Sequence, residues 1–232
     1  MNTDISTQKN KHQLVDYYDQ DTNTLDIRSN GMYPSGVLSN LCSNAFRMDS
    51  VLCNSMEGFL QSLKQQDPDK QRQICQLKGG NARKRSVASW QTYQIVWWRG
   101  EAYDRQSRDY QHLLRRAYQA LFDQNERFRA ALMATRGITL IHTSGETNLY
   151  KTILTRHEFC HLLMEIRDDY DKRDKHIVHK RRKLAKQMTD DPTRMSKEEF
   201  FARVDEAKKG PTHSMLPGED LTAFLRRMGH DL

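Results

Sequence analysis

The sequence predicts a mainly α-helical α+β protein. A compact multihelical domain carries a small β-hairpin and one or two further short strands, and a helical C-terminal appendage follows it. Apolar residues recur at helical spacing through most of the middle of the chain. A short run from Phe46 to Val51 alternates as two strands around a turn do. At 232 residues the chain suits one domain of ordinary size with extensions, and 29% charged residues are typical of a soluble protein.

The chain begins with a polar segment, residues 1–32, which has no clear periodicity and which we expect to be a loosely docked extension. The compact domain is predicted over residues 33–170. It opens with the hairpin, after which an amphipathic helix runs from Ser55 to Lys64 and ends near Asp67-Pro68. The later elements are predicted to be helices over Asp69 to Gln76, around Trp90, over Asp109 to Phe122 and over Asn125 to Ala134, a strand from Ile138 to His142, and a long helix from about Leu154.

Residues 171–232 are predicted to form a basic helical appendage. Ser196 and Glu199 make a capping-box pattern that opens a helix, and Gly210-Pro211 closes it. Asp220 is placed to cap a last helix that ends at Gly229. We interpret the appendage as an element for contacts with nucleic acid or with another subunit.

The composition argues against membrane and secreted proteins. No apolar run approaches the ~20 residues of a membrane span, and the polar N-terminus is unlike a signal peptide. We therefore expect a cytoplasmic location and no membrane partner. The four cysteines form no C-x-x-C pair, which predicts reduced thiols that serve as small core residues. No pattern in the chain predicts a cofactor.

The most informative pattern is a polar stripe within the Ser55–Lys64 helix, made of Glu57, Gln61 and Lys64. Steps of four and three residues bring these side chains to one helix face, and apolar neighbours place that face beside the core. A carboxylate, an amide and an amine that share a partly buried face are typical of a reaction site. From the spacing alone, the alternative is a salt bridge on an amphipathic helix.

Four segments, in order along the chain, resemble the NADAR family (NAD- and ADP-ribose-associated, YbiA-like). They are Gly36-Val37-Leu38-Ser39-Asn40-Leu41, the decapeptide SMEGFLQSLK that follows the hairpin, LFDQNERFRAALMAT from Leu121, and LLMEIR from Leu162. Each segment alone is weak, and their common order carries the resemblance, which covers about residues 33–167.

The resemblance implies a YbiA-like fold and hydrolysis of an N-glycosidic bond to ribose. Glu57 is then the carboxylate that stabilises an oxocarbenium-like transition state. Lys64 acts as a general acid, as an electrostatic clamp or as a Schiff-base nucleophile. Arg99 is a candidate ligand for pyrophosphate, and Trp90 packs near the pocket or stacks on a base. The full set of predicted substrate-binding residues is Ser39, Asn40, Gln61, Trp90, Arg99 and His142.

Several positions depart from the family pattern. His142 stands where the family has a Glu, so it either takes over a substrate contact or packs within its strand. The family has a Trp-Gly pair and a nearby Asp between this strand and the last helix. Here Thr143–Tyr150 occupies that place, which changes one wall of the pocket. Leu121 replaces a Lys, and an insertion from Trp97 to Tyr110, rich in arginine and aromatic residues, has no counterpart in the family.

A net charge of +7 and a pI near 9.2 favour polyanionic partners. Basic residues cluster from Lys172 to Lys186 and again from Lys78 to Arg108, where aromatic residues are interleaved among them. The structural alternatives are a solvated helix face and core tryptophans. The residues predicted to contact nucleic acid are Arg105, Arg108, Lys180, Arg181, Arg182 and Lys183.

The segment His157–His161 is a formal H-E-x-x-H motif. On a helix it puts two imidazoles on one face with Glu158 beside them, as zinc metalloproteases require. No third zinc ligand belongs to a recognisable motif. The candidates are His176, His179, Glu165 and Asp169. Because the NADAR pattern has an ordinary packed helix here, we predict no metal site.

The preferred hypothesis is an N-glycosidase of the ADP-ribosyl hydrolase type that removes ADP-ribose from modified guanine in DNA, because the basic clusters favour nucleic acid over a small metabolite. The partner is then ADP-ribosylated DNA or an ADP-ribose-like ligand. Three alternatives remain open: a small-metabolite N-glycosidase of the riboflavin-pathway type, a zinc hydrolase that uses His157, Glu158 and His161, and a non-catalytic module that binds ADP-ribose or nucleic acid.

Overall fold

A computed structural model describes residues 17–189, 195–210 and 214–229 of the chain. The helices are α1 Ser35–Leu38, α2 Met56–Ser62, α3 Pro68–Cys75, α4 Gly79–Arg83, α5 Trp90–Tyr93, α6 Arg108–Gln124, α7 Glu126–Ala134, α8 Arg156–Thr189, α9 Lys197–Lys209 and α10 Leu221–Arg227. The strands are β1 Tyr18–Asp19, β2 Thr24–Asp26, β3 Phe46–Met48, β4 Val51–Cys53, β5 Ile95–Trp98, β6 Glu101–Asp104 and β7 Thr139–Ile141. The predicted α+β class is confirmed, with more short strands than the sequence indicated.

The chain divides into two units, of which the first ends at Asp174 and the second begins at Lys175. The division falls within α8, four residues after the boundary expected from the sequence. In the described ranges, no helix is long and apolar enough to cross a membrane.

The first sheet brings part of the polar N-terminal segment into the core. β2 pairs antiparallel with β1 and parallel with β7. Leu25 and Ile27, on or next to β2, are 0% exposed. Residues 17–32 therefore differ from the loosely docked extension expected of residues 1–32, whose first sixteen residues lie outside the described part of the chain. Strands of two or three residues are too short to give a periodic pattern.

Helix α2 is held at its start and along its inner face. The Ser55 side chain accepts a hydrogen bond from Gly58 N, which caps the helix. The Phe59 ring packs edge-on against Trp98 at 5.0 Å between ring centroids. A Cβ at Gly58 would lie 2.8 Å from the Cys75 carbonyl oxygen, so glycine lets α2 approach the end of α3 closely.

The predicted hairpin is formed by β3 and β4, in which Phe46 pairs with Cys53. A second hairpin, β5 and β6, begins two residues before the insertion and ends within it. Its turn residues Arg99 and Gly100 have φ values of 53° and 91°. Two successive positive φ values suit the twist of a tight hairpin. Trp97 N donates to Leu63 O at 2.8 Å, which docks this hairpin against the end of α2.

The second unit contains the helical elements predicted for the appendage. Ser196 and Glu199 form a reciprocal capping box at the start of α9, as the sequence indicated. The Asp220 side chain accepts from Ala223 N and caps α10. Phe200 and Phe201 on α9 are about half exposed, at 53% and 51%.

Candidate functional site

One cavity of the first unit, of about 390 Å³, collects six of the predicted site residues. They come from the segment after α1, from α2 and its C-terminal end, and from the segment after β7, and they are Ser39, Asn40, Glu57, Gln61, Lys64 and His142. The opposite wall is formed by the changed segment around Gly145 and by the first turn of α8. Cavities of this size accommodate small-molecule ligands.

Glu57 is fixed from two sides in the first turn of α2. Its backbone N–H donates to the Asn40 carbonyl at 2.9 Å, and its carboxylate accepts from Gln61 Nε2 at 2.8 Å. The Ser39–Asn40 segment is therefore tied directly to the residue predicted to act on the substrate. Glu57 is partly exposed and lines the cavity, whereas Gln61 is buried. The buried amide therefore holds a carboxylate that a ligand in the cavity can reach.

Lys64 does not form the salt bridge that the spacing left open as an alternative. Its Nζ donates to Ser86 Oγ at 2.8 Å and lies 6.0 Å from the centroid of the Trp90 ring. Burial lowers the pKa of the Lys64 ammonium below its usual range, and the charge of Glu57 offsets that effect only in part. A lowered pKa makes the amine a better nucleophile near neutral pH.

The lowered pKa of Lys64 predicts that a Lys64→Met variant is more stable than the wild type at pH 7, on the order of 1 kcal/mol. Below the folded-state pKa the ammonium is charged in both states, so its burial costs stability. That cost declines as the pH rises towards the unfolded value of 10.5. Thermal unfolding at pH 7 and near pH 10 measures the difference, which should shrink at the higher pH.

The matched control for this comparison is Lys84→Met, because Lys84 is exposed. We expect no gain in melting temperature for that variant. A Lys64→Met protein that melts below the wild type at pH 7 would contradict the assigned environment of the amine.

A buried tyrosine that the sequence did not single out holds Asn40 in place. Tyr118 is 0% exposed, and its hydroxyl donates to Asn40 Oδ1 at 2.7 Å. Burial raises the pKa of the Tyr118 hydroxyl well above its usual value, so it stays a donor. Because Oδ1 accepts from Tyr118, the Asn40 amide keeps its Nδ2 donor for the cavity. No local pattern could have paired two residues that lie 78 positions apart.

His142 keeps one ring nitrogen for the cavity. Its Nδ1 lies 2.7 Å from the Ile27 carbonyl, which can only accept, so Nδ1 is the donor and Nε2 has no hydrogen-bond partner among the described residues. The ring also packs edge-on against Phe159 at 5.5 Å between centroids. A Cβ at Gly145 would lie 2.6 Å from His142 Cδ2, so glycine there allows the changed wall to close on the imidazole.

Two of the predicted ligand-binding residues, Arg99 and Trp90, do not line the cavity. Arg99 sits in the turn of the second hairpin, where its N–H donates to Gln71 Oε1 at 2.8 Å and its Nη1 donates to the Asp49 carbonyl at 3.3 Å. It does not line the cavity, so its assignment to pyrophosphate is corrected. Trp90 is 1% exposed and its ring packs against Lys64, so of the two alternatives it packs near the cavity and has no ring face free to stack on a base.

The residues predicted to contact nucleic acid separate into different groups. Arg105 is 1% exposed and pairs with Glu158 at 2.6 Å, so it is a core residue and its assignment to nucleic acid is wrong. Arg108, at the start of α6, is exposed. Lys180, Arg181 and Arg182 are exposed in the second unit, whereas the side chain of Lys183 lies outside the described residues.

Glu158 has a structural role that rules out its use as the base of a zinc hydrolase in this conformation. Its carboxylate accepts from Arg105 and from Thr155 N, while Glu158 N donates to Thr155 Oγ1. Thr155-x-x-Glu158 is thus a capping box at the start of α8, a signal present in the sequence that the H-E-x-x-H pattern obscured. In the described ranges, no group of three His, Cys, Asp or Glu side chains is positioned to hold a metal ion.

Two arginines that the sequence did not assign to the substrate site line the cavity. Arg83, at the end of α4, and Arg156, in the first turn of α8, both line the cavity. No ion pair joins either guanidinium to a carboxylate of the described residues. Unpaired guanidinium groups at a cavity are suited to bidentate contacts with phosphate. Arg83 belongs to the second basic cluster of the sequence, whereas Arg156 carried no recognisable signal.

The chain is similar to proteins of known sequence and structure. Residues 32–168 match the family described as bacteriophage protein GP30.3. An uncharacterized 17.1 kDa protein from the Gp30-rIII intergenic region of Enterobacteria phage T4 is 39% identical over 148 residues, which cover 62% of this chain and 97% of that protein.

Among solved structures, the NMR structure of the E. coli protein YbiA matches with a TM-score of 0.50 and 18% identity, over 68% of this chain and 90% of YbiA. This likeness establishes the fold and confirms the resemblance drawn from the four sequence segments. The family match spans nearly the same residues as that resemblance. The chain therefore belongs to the family of bacteriophage protein GP30.3.

Proposed function

We propose that this protein is an N-glycosidase that removes ADP-ribose from ADP-ribosylated guanine in DNA. The observation that carries the proposal is the convergence of Glu57, Lys64 and Asn40 on one cavity that two unpaired guanidinium groups also line. A carboxylate beside an amine of lowered pKa suits chemistry at an anomeric carbon, and guanidinium groups suit a diphosphate. The fold and the family are consistent with this reaction class.

The reaction breaks the bond between the ribose anomeric carbon and the base nitrogen. Positive charge develops at the anomeric carbon as the base leaves with the bonding electrons and takes up a proton. The Glu57 carboxylate stabilises that charge and orients the attacking water, whose oxygen becomes the new anomeric hydroxyl. Gln61 Nε2 keeps the carboxylate in place through its 2.8 Å hydrogen bond.

Lys64 has two chemically distinct roles in this scheme. As a general acid it donates its proton to the departing base. As a nucleophile its neutral amine attacks the anomeric carbon and displaces the base, which leaves with the bonding electrons and takes up a proton; opening of the ribose ring then gives an imine, which water hydrolyses to release ADP-ribose and the amine. The second route leaves an imine that borohydride reduces to a stable secondary amine. Mass spectrometry of the reduced protein therefore separates the two roles.

The anionic part of the substrate is assigned to Arg83 and Arg156 and to a basic rim, which consists of Lys78, Lys84 and Arg85. Arg83 and Arg156 are positioned to bind the diphosphate, and Lys78, Lys84 and Arg85 are exposed on or next to α4. Within the part of the chain that the structure describes, none of these basic residues forms an ion pair with a carboxylate. An uncompensated basic rim next to a cavity attracts a polyanion such as a DNA strand.

The test is incubation with DNA that carries ADP-ribosylated guanosine. We expect release of free ADP-ribose and recovery of unmodified DNA, and we expect Lys64→Ala to abolish release while DNA affinity stays nearly unchanged. Lys70→Ala is the matched control, since Lys70 is exposed on α3 and does not line the cavity. An active Lys64→Ala enzyme would show that the amine has no chemical role.

Cleavage of a phosphorylated riboflavin-pathway intermediate by the same cavity is the competing reaction. Arg83 and Arg156 fit any phosphorylated ribosyl compound, whereas the basic rim favours DNA. A higher kcat/KM on the small metabolite would replace the proposed substrate with that one. Stoichiometric binding of ADP-ribose without cleavage of either compound would identify a binding module instead.

A further inference from the structure

Gln61 has an unsatisfied acceptor inside the proposed active site. The residue is 7% exposed and lines the cavity. Its Nε2 donates to Glu57, and since a carboxylate only accepts, the atom of the amide that faces Glu57 is the nitrogen and the other is the oxygen. The remaining atom, Oε1, is buried and finds no hydrogen-bond donor among the described residues. A buried acceptor without a donor is unfavourable, so a ligand that supplies one gains affinity.

The position of Gln61 defines which ligand group can supply that donor. Oε1 belongs to the same amide that contacts Glu57 at 2.8 Å, so a group that reaches Oε1 lies beside the Glu57 carboxylate. The torsion that turns a glutamine amide is soft, and a small rotation presents Oε1 to such a group. In the proposed reaction Glu57 faces the anomeric carbon. The hydroxyl nearest that carbon is the one on the adjacent ring carbon, the 2′-hydroxyl.

We propose that Gln61 accepts a hydrogen bond from the 2′-hydroxyl of the sugar that is cleaved, and that it thereby restricts the enzyme to ribosyl bonds. This inference rests on the proposed N-glycosidase function. Hydrogen bonds to the hydroxyl next to the anomeric carbon strengthen as positive charge develops there. A sugar without this hydroxyl leaves Oε1 unpaired in the transition state, which a site built for a hydroxyl rejects strongly.

This selectivity has a specific use on a DNA substrate. The modified guanine itself makes two N-glycosidic bonds, one to the terminal ribose of ADP-ribose and one to the deoxyribose of the strand. Of these two sugars, only the ribose carries a 2′-hydroxyl. Gln61 therefore directs cleavage to the modification and away from the bond whose loss would leave an abasic site.

The experiment compares two substrates that differ in one atom, an oligonucleotide with ADP-ribosylated guanine and its analogue without the 2′-hydroxyl on the modifying sugar. We expect the wild type to prefer the hydroxylated substrate by at least about 10²-fold in kcat/KM. Gln61→Met removes both the hydrogen bond to Glu57 and the Oε1 acceptor, so it should slow both substrates, but the hydroxylated one more, and thereby bring the ratio towards one. Gln61→Glu also loses the donor to Glu57 but retains an acceptor, so it should keep the preference at a lower rate.

Gln119→Met, on α6, is the matched control for the loss of an amide–carboxylate hydrogen bond on a helix outside the cavity. Gln119 donates to Asp123 four residues later at 2.8 Å, the same amide–carboxylate arrangement, but it lies outside the cavity. Its ratio should equal that of the wild type. Equal rates of the wild type on both substrates, or an unchanged ratio in a folded Gln61→Met protein, would overturn the inference.

The inference and the proposed function fail in different ways. If neither substrate is cleaved, the proposed function fails, and calorimetric titration with ADP-ribose and with its 2′-deoxy analogue still tests Gln61. Weaker binding of the deoxy compound by the wild type, lost in Gln61→Met, supports the role of the amide. Equal affinities of the wild type for the two compounds overturn it.

Discussion

A Glu57→Gln variant is expected to lose about 10³-fold or more in kcat for ADP-ribose release while its affinity for the modified DNA changes little. The amide has the size of the carboxylate and still offers an oxygen to Gln61 Nε2, so the geometry of α2 is preserved. What disappears is the negative charge that, in the proposed reaction, stabilises the oxocarbenium-like transition state. Single-turnover rates and fluorescence anisotropy with labelled DNA measure the two quantities separately.

Glu101→Gln is the control for this loss. Glu101 is an exposed residue on β6 and does not line the cavity, so the same change in charge should leave the rate within twofold of the wild type. If Glu57→Gln releases ADP-ribose at the rate of the control, the carboxylate is not part of the reaction and the site assignment is wrong.

The second large effect concerns stability. Replacing Arg105 by Met is expected to lower the free energy of unfolding by about 3–5 kcal/mol, because it leaves the Glu158 carboxylate without its buried partner. Arg105 Nη1 and Nη2 reach the two Glu158 oxygens at 3.0 and 2.6 Å, and its Nε donates to the Thr152 carbonyl at 2.9 Å. Urea unfolding monitored by circular dichroism measures the loss.

Arg108→Met provides the matched control three residues away. Arg108 is exposed and carries no ion pair with a described carboxylate, so its replacement should change the free energy of unfolding by less than about 0.5 kcal/mol. If the Arg105 variant fails to fold, Arg105→Lys keeps the comparison usable, because a lysine retains the charge without the two-pronged contact. A Lys variant as stable as the wild type would contradict the importance of that geometry.

The same pair predicts how stability depends on pH. Burial alone would raise the pKa of the Glu158 carboxyl, but the hydrogen bonds and charge of Arg105, together with the Thr155 N–H, outweigh burial and lower it. A lowered folded-state pKa contributes stability above the unfolded value of 4.5, and that contribution is lost as the pH falls through the folded value. Glu158→Gln should therefore show a weaker acid dependence than the wild type.

The sequence predicted the parts of the site that lie close together along the chain. Glu57 and Gln61 share a helix face because residues four apart do so, and this local geometry is what the structure contains. The same rule could not identify the partner of Lys64, because the Ser86 hydroxyl comes from 22 residues away and the lysine lies beyond the end of α2. Local spacing describes a helix face, whereas tertiary packing selects which groups meet there.

Charge patterns were a weaker guide, because composition says nothing about burial. Arg105 belongs to a basic, aromatic-rich segment that is typical of nucleic-acid contacts, yet its partner Glu158 is 53 residues away. Arg156 stands immediately before the H-E-x-x-H pattern, and Tyr118 reads as an ordinary core residue of α6. Their roles depend on contacts with residues far away along the chain, such as the contact of Tyr118 with Asn40. Local sequence patterns do not show such contacts.

The Glu158 capping box also orders part of the cavity wall in the absence of a ligand. Arg156 and Phe159 stand in the cavity wall on the same helical turn that Thr155, Arg105 and Gln111 fasten through Glu158. This turn is thus rigidified during folding, before any ligand arrives. The conformational entropy of ordering the wall is then lost on folding and not on ligand binding. A preorganised wall therefore favours both affinity and turnover.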